Sequence, residues 1–179
     1  MSEKRIRKIA FAGVTGSLYA ALTISLSFIG FGPIQFRIAE ALCILPFFAP
    51  VSVWGLAAGC VCANLFSPYP LDVFVGPLAT LFAGLCTMRI GKSRREGAGR
   101  KALACLPPVI FNAIFIGALI SFYITGGGKA ETIVPAFIVN GLYVGLGEAV
   151  VMYAVGLPLM FYLPKSRIFG KTIAGVQSP

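Results

Sequence analysis

Three polar residues, Gln35, Arg37 and Glu40, interrupt an otherwise apolar part of the chain, the segment 33–42. Ionisable side chains near hydrocarbon are costly unless they face water, a partner or a ligand. Arg37 and Glu40 are three residues apart, so on a helix they either pair with each other or turn toward a common ligand. In a chain with so little charge, this segment is the best clue to what the protein binds.

Further polar residues recur at intervals in the apolar sequence. The predicted binding residues outside the first segment are Asn64, Asp72, Asn112, Asn140, Tyr143 and Glu148. Each Asn contacts either a ligand or a neighbouring helix, and Asp72 either contacts a ligand or caps the helix that it opens. Glu148 is satisfied by a ligand, an Asn or water, or else is protonated.

The sequence lacks the residues that several kinds of catalytic site require. The chain has no histidine, which removes HExxH proteases, Ser-His-Asp triads and most zinc sites. The five cysteines form no CxxC pair and are predicted to be packing residues. The run Gly126–Lys129 lacks the Ser or Thr of a phosphate loop, and no other ATP-binding motif is present. We expect no metal and no cofactor, and any energy input must come from another protein.

Composition places the chain in a membrane. Of the 179 residues, 58% are hydrophobic and 12% are charged, and the mean hydropathy is +0.88. The net charge is +9, but thirteen of the fifteen basic residues fall in three blocks, at the two ends and in one connecting segment, 89–101. Such blocks mark cytoplasmic loops and contact lipid headgroups, so nucleic-acid binding is not expected.

The apolar runs predict six transmembrane helices in one domain, 1–179. The predicted helices lie in Ile9–Phe28, in Ile38–Phe66 (two short helices, broken at Pro46–Pro50), and in Asp72–Met88, Ala102–Thr125 and Ile133–Leu163. Prolines disfavour one continuous helix in the second run. Splitting that run also returns the basic loop to the cytoplasm. Both termini are then cytoplasmic, and the N-terminal run is a retained helix without a convincing signal-peptide cleavage site.

This topology puts the polar residues mainly in the outer half of the membrane. The outer loops are 30–37, 67–71 and 126–132. Gln35, Arg37 and Glu40 lie at the outer end of the second helix, while Asn112 and Glu148 lie near the midplane. A proton relay would need polar groups across the full thickness, so the bias predicts an outward-facing binding pocket.

The first helix carries two rows of small residues. The rows are Ala12, Gly16, Ala20 and Gly13, Ser17, Ala21. Small residues four apart allow close approach of helices in membranes. The rows serve either internal packing or docking to another membrane subunit.

Three segments resemble a known family: 33–42 running into Leu45–Phe48, Leu71–Leu81, and Ser17–Thr23. They are similar to the QueT family, the substrate-binding S components of energy-coupling factor (ECF) transporters. The resemblance covers essentially the whole chain. It implies a non-enzymatic subunit with an S-component-like six-helix bundle in a bacterial plasma membrane. It also implies uptake of queuosine precursors, powered by an ECF T subunit and a pair of ATPases.

Such a ligand, queuine or a 7-deazaguanine such as the aminomethyl form, suits these residues. Its N–H donors suit the carboxylate of Glu40 or Asp72, and its carbonyl needs a donor from Asn, Gln or Arg. The flat ring needs an apolar or aromatic slot, and a cationic aminomethyl group favours a second carboxylate, Glu148. The candidate ring contacts are Phe36, Trp54 and Tyr143.

The alternatives are an S component for another flat micronutrient (a flavin or a purine-like base), an intramembrane enzyme using Glu148 or Asp72, and a structural or small-channel protein.

Overall fold

The protein is helical throughout the part that the structure describes, residues 3–30, 35–93 and 97–177 of a computed structural model. The α-helices are α1 Glu3–Ser25, α2 Ser27–Gly30, α3 Ser52–Asn64, α4 Asp72–Gly91, α5 Ala98–Ala104, α6 Leu106–Ile124, α7 Ala130–Val151, α8 Leu157–Tyr162 and α9 Arg167–Gln177. No strand occurs in these ranges. The prediction of an all-α protein is therefore confirmed. The outer-loop residues 31–34 and the basic residues Arg94 and Arg95 lie outside the described ranges.

The apolar region 38–66 is divided, as its prolines predict. Its first part, Ile38–Phe47, is a 3-10 helix with Pro46 next to its end, and its second part is α3. Ten residues is long for a 3-10 helix, which has poorer hydrogen bonds than an α-helix. This element lies against α4, α1, α3 and α7, so packing stabilises it.

Four helical segments are long and apolar enough to cross a membrane: Glu3–Ser25, Asp72–Gly91, Ala98–Ile124 and Ala130–Lys165. The two helices of the divided region have 10 and 13 residues. A straight spanning helix needs about 20 residues. The structure therefore supports four spans by length, and a count of six depends on these two short helices.

The last long helix departs from the regular α form. A π-helical turn at Met152–Gly156 joins α7 to α8, and a short 3-10 turn, Leu163–Lys165, precedes α9. Met152 in this turn packs with Ile44 of the long 3-10 helix and with Met160 of α8 in one buried cluster. The π turn thus lies where the long 3-10 helix meets α7 and α8.

Close backbone contact holds α1 against α3. Gly16 lies against the backbone of Gly55 and Gly59, and a Cβ at Gly16 would overlap the carbonyl oxygen of Gly55. Ala12 supplies the matching carbonyl over Gly55. In this way α1 brings its buried Tyr19 to the middle of the bundle.

Candidate functional site

Polar side chains from six elements are buried in the interior of the bundle. We call them the polar cluster; its members are Tyr19, Gln35, Arg37, Glu40, Cys43, Cys60, Asn64, Asp72, Thr80, Asn112 and Glu148. Every one of them is buried. Four of the nine predicted binding residues, Arg37, Glu40, Asn64 and Asp72, take part in its hydrogen bonds and ion pair. Three more, Gln35, Asn112 and Glu148, are buried. Burying so many polar groups is costly unless each finds a partner.

Glu40 is bound by two protein donors. The Tyr19 hydroxyl of α1 donates a short hydrogen bond to Oε1 of Glu40, and the Cys43 thiol donates to Oε2 at 3.0 Å. Cys43 lies one turn further along the same 3-10 helix. Both oxygens of this fully buried carboxylate thus have a protein partner, which fixes its orientation.

Arg37 connects the segment before the 3-10 helix to α3 and α4. Its Nη2 donates to Oδ1 of Asn64 at 2.6 Å and lies 3.7 Å from Oδ2 of Asp72. Nδ2 of Asn64 donates to the backbone carbonyl of Asp72 at 2.9 Å, and Ser67 donates to Oδ2 of Asp72 at 2.9 Å. Oδ1 of Asp72 has no hydrogen-bond partner in the described part of the chain. The contacts of Oδ2 are with Ser67 and Arg37.

The thiol of Cys60 joins the Glu40 and Arg37 groups. Its Sγ lies 3.6 Å from the Tyr19 hydroxyl oxygen and accepts hydrogen bonds from Asn64 at 3.5 Å and from Thr80 at 3.5 Å. The cysteine is free and fully buried, and it also packs in the apolar core next to Leu56 and Ala63. It is a packing residue, as predicted, with an additional polar role.

Gln35 is held against α7 by its backbone. A Cβ at Gly147 would overlap the carbonyl oxygen of Gln35, so only glycine allows this approach. The side chain of Gln35 is buried, and its Oε1 has no hydrogen-bond partner among the described residues. The contact places the Gln35 segment beside Glu148, the next residue of α7.

Asn112 and Glu148 are the least satisfied members of the polar cluster. Both are fully buried. In the part of the chain that the structure describes, the carboxamide of Asn112 and the carboxylate of Glu148 have no hydrogen-bond partner. Gly117 lies against Gly141, and Ala113 faces Gly145, so α6 and α7 are antiparallel neighbours. This register puts Asn112 within about one helical turn of the level of Glu148. Such orphaned groups mark a place where a ligand or water can bind.

Two predicted binding residues lie apart from the network. Asn140 donates a hydrogen bond to Ser121 of α6 at 3.1 Å. This is a helix–helix contact, the alternative to ligand binding for this residue. Tyr143 is 44% exposed on the outer side of α7. Trp54, a candidate for the ring slot, is 66% exposed near the start of α3. These three residues therefore lie outside the polar cluster.

Tyr19 and Thr80 belong to the polar cluster but were not among the binding residues predicted from the sequence. Tyr19 had a signal, because Thr15, Tyr19 and Thr23 recur every four residues and all three are buried. Hydroxyl groups on one face of an apolar helix indicate a polar neighbour inside the bundle. Thr80 had no comparable pattern around it in α4.

The two small-residue rows of α1 differ in exposure. Gly16 is buried against α3, and Ala12 and Ala20 are partly buried. Gly13, Ser17 and Ala21 are exposed, and a Cβ at Gly13 would meet no atom within 4 Å. The first row packs the protein internally, and the second faces outward.

Comparison with known proteins agrees with the resemblance found in the sequence. Residues 9–165 match the family described as QueT transporter. A protein of Lactococcus lactis subsp. cremoris (strain MG1363), named queuosine precursor transporter QueT, is 36% identical over 83 residues, which are 45% of this chain and 49% of the relative. The match thus spans about half the length of that relative. No solved structure matches the chain. The chain therefore belongs to the QueT transporter family.

Proposed function

We propose that the chain is the substrate-binding subunit of an ECF-type importer and captures a queuosine precursor in the polar cluster. The observation that carries this proposal is a buried network of polar side chains with unused hydrogen-bonding atoms at Gln35, Asp72, Asn112 and Glu148. A protein interior leaves few such atoms without a partner. A flat, polar heterocycle would satisfy them.

The unused atoms suit a 7-deazaguanine. Its ring N–H groups need an acceptor, and Oδ1 of Asp72 is buried without a partner in the described ranges. Its carbonyl needs a donor, which Asn112 or the amide of Gln35 provides. The relative's name refers to queuosine precursors, and their chemistry, queuine or a 7-deazaguanine such as the aminomethyl form, fits this set of donors and acceptors. A flavin is the rival ligand within the same function.

The proposed topology has six crossings with both termini in the cytoplasm of a bacterial cell. The four long helices supply four crossings, and the long 3-10 helix and α3 together supply the other two. The first helix begins with Lys4, Arg5, Arg7 and Lys8, and the last is followed by Lys165, Arg167 and Lys171. Basic segments of this kind stay in the cytoplasm. The segment around Gln35 and Arg37 then faces outward.

The proposed partners are an ECF T subunit and a pair of ATPases, because the sequence has no ATP-binding motif of its own. The exposed row Gly13, Ser17 and Ala21 is the proposed docking face. Gly13 and Ser17 line an open groove of about 540 Å³ between α1 and α3, together with Trp54. Small residues on an exposed helix face let a partner helix approach closely.

Two experiments test the proposed function. Thermal-shift measurements on the purified chain should show stabilisation by queuine and aminomethyl-deazaguanine, and none by riboflavin or biotin. A strong shift with riboflavin alone would overturn the substrate class. Affinity purification from the native membrane should recover a T subunit and two ATPases. Recovery of the chain alone would contradict the ECF role.

A further inference from the structure

We propose that a groove between α1 and α9 binds an anionic phospholipid. Its phosphate lies between Arg7 and Lys171, and one acyl chain lies along Phe11 and Val14. This lipid site is separate from the polar cluster and is independent of the substrate. A defined site holds one lipid per chain, whereas basic segments in general contact many headgroups without selecting one.

The helix α9 is amphipathic. Its apolar residues Phe169, Ile173 and Val176 recur at spacings of four and three residues, so they share one side of the helix. This side is packed on the bundle, since Val176 is buried and the other two are partly buried. Arg167 and Lys171 are exposed on another side. Helices with an apolar and a basic side lie at the level of the lipid headgroups.

The groove is formed where α9 packs against the first part of α1. Its volume is about 520 Å³, and small-molecule sites in proteins typically have ~300–1,000 Å³. The lining residues that carry the argument are Arg7, Phe11 and Val14 of α1, and Lys171, Thr172 and Gly175 of α9. The groove is therefore large enough for a ligand and is bordered by two helices.

Two cationic side chains from different helices border this groove. A Cβ at Gly175 would lie 3.1 Å from Nη1 of Arg7, so the guanidinium of Arg7 rests against the backbone of α9. Lys171 is four residues before Gly175 and lies on the same side of α9. The guanidinium thus lies within about one helical turn of the position of Lys171.

The protein neutralises these two cations only in part. Nη2 of Arg7 lies 2.5 Å from a carboxylate oxygen of Glu3, in an exposed ion pair within α1. Lys171 has no ion-pair partner among the described residues. Exposed ion pairs contribute little energy, so Glu3 does not prevent an anion from binding to Arg7. Arginine and lysine bind phosphate oxygens through charge-assisted hydrogen bonds, and a phosphate group therefore fits between Arg7 and Lys171.

The rest of the groove on α1 is apolar. Phe11 and Val14 follow Arg7 by four and seven residues, so the three side chains share one side of α1. Val14 is 68% exposed, and it lies about 10 Å along the helix from Arg7 at 1.5 Å per residue. A phospholipid has the same order of groups, a phosphate followed by hydrocarbon. Inorganic phosphate would leave the apolar part unused, so the anionic phospholipid is the occupant that matches both parts.

The test titrates lipids into the purified chain in a neutral detergent and counts the bound molecules by native mass spectrometry. The lipids are phosphatidylglycerol and phosphatidylcholine with identical acyl chains. The wild type should bind one phosphatidylglycerol per chain, about tenfold or more tightly than phosphatidylcholine, as a charged hydrogen bond allows. Lys171→Gln should reduce this preference to less than about threefold. The matched control Lys165→Gln removes an exposed basic residue outside the groove, and it should keep the preference.

A second pair of variants tests the acyl end of the groove. Val14→Gln should weaken phosphatidylglycerol at least about threefold, because it places a polar side chain against the acyl chain. Val150→Gln, at an exposed valine of α7, is the control and should bind as the wild type does. All four variants alter exposed positions, so they should unfold at the wild-type temperature in the absence of lipid.

Equal binding of the two lipids by the wild type would overturn the proposal. An equal loss in Lys165→Gln and Lys171→Gln would also overturn it, because total charge and not the groove would then attract the lipid. Displacement of phosphatidylglycerol by an equal concentration of inorganic phosphate, or equal effects of Val14→Gln and Val150→Gln, would show that the acyl chain lies elsewhere. None of these measurements contains a queuosine precursor, so their outcome leaves the proposed function unchanged.

Discussion

The guanidinium of Arg37 lies 3.7 Å from the carboxylate of Asp72, and their side chains are only 1% and 3% exposed. Arg37 precedes the long 3-10 helix and Asp72 begins α4, so the pair connects two parts of the chain that are distant in sequence. Asn64 of α3 bonds to both residues. The pair therefore connects the segment before the 3-10 helix to α4, and both residues belong to the proposed binding site.

Replacing Asp72 by Asn should destabilise the protein markedly. The change removes the carboxylate that lies 3.7 Å from the buried guanidinium of Arg37, and loss of one member of a buried pair costs about 3–5 kcal/mol. For a chain of this size the midpoint of thermal unfolding should fall by roughly 6–20 °C. The matched control is Glu3→Gln, which breaks the exposed pair with Arg7. That change should cost less than about 1 kcal/mol, and an equal fall in both variants would contradict the role of the buried pair.

Replacing Tyr19 by Phe should weaken the first helix's contact with the site. The variant removes the hydroxyl that donates to Glu40 and contacts Cys60, at a cost of about 1.5–3 kcal/mol for a bond to a charged group. The midpoint of thermal unfolding should fall by roughly 3–12 °C. Tyr143→Phe is the control, because Tyr143 is 44% exposed on α7. A larger effect at Tyr143 than at Tyr19 would show that the exposed face of α7 matters more than the polar cluster.

The two small-residue rows of α1 should respond differently to enlargement. Gly16→Val places its side chain against the backbone of Gly55, so the variant should lose folded protein in size-exclusion chromatography. Gly13→Val enters open space, so it should fold and bind ligand as the wild type does. Under the proposed docking face, Gly13→Val should also lose the T subunit on affinity purification. Normal recovery of the T subunit would place the docking face elsewhere.

Enlarging Gly147 should disturb the site without touching a charged group. Gly147→Ala overlaps the carbonyl oxygen of Gln35 and forces the segment before the 3-10 helix away from α7. Ligand affinity should fall at least about tenfold, because displacing a binding segment removes well-aligned hydrogen bonds. The control is Gly170→Ala in α9, where a Cβ meets nothing within 4 Å. Unchanged affinity of Gly147→Ala would exclude Gln35 from the site.

Much of the fold followed from the sequence because apolar runs and prolines are local signals. The break between Pro46 and Pro50 predicted the division of the second run, and the structure has it. The 3-10 form of the first half was not predictable, since it depends on packing against four neighbouring helices. α9 was also not predicted, because its apolar residues Phe169, Ile173 and Val176 are interspersed with or follow the basic residues of the last segment. Only tertiary contacts, such as that of Phe169 with Phe48, show that this helix packs back onto the bundle.

The site was predictable where a polar residue was out of place in an apolar run. This rule found Arg37, Glu40 and Glu148, because a charge inside a membrane protein needs a partner. The same rule does not distinguish a ligand contact from a helix–helix contact. Asn140 was predicted as a binding residue, and its side chain donates a hydrogen bond to Ser121 of the neighbouring helix. Tyr19 was missed because a tyrosine in an apolar helix is common, and its role depends on the distant Glu40.

The most direct test of the proposed binding site is the affinity for aminomethyl-deazaguanine, measured by calorimetry on the wild type and on three variants. Glu40→Gln and Glu148→Gln lie in the polar cluster, and Tyr143→Phe lies outside it. We predict one site per chain in the wild type, with affinity reduced about tenfold or more in both cluster variants and unchanged in Tyr143→Phe. Wild-type affinity in both cluster variants, or a loss confined to Tyr143→Phe, would contradict the assignment of the polar cluster as the substrate site.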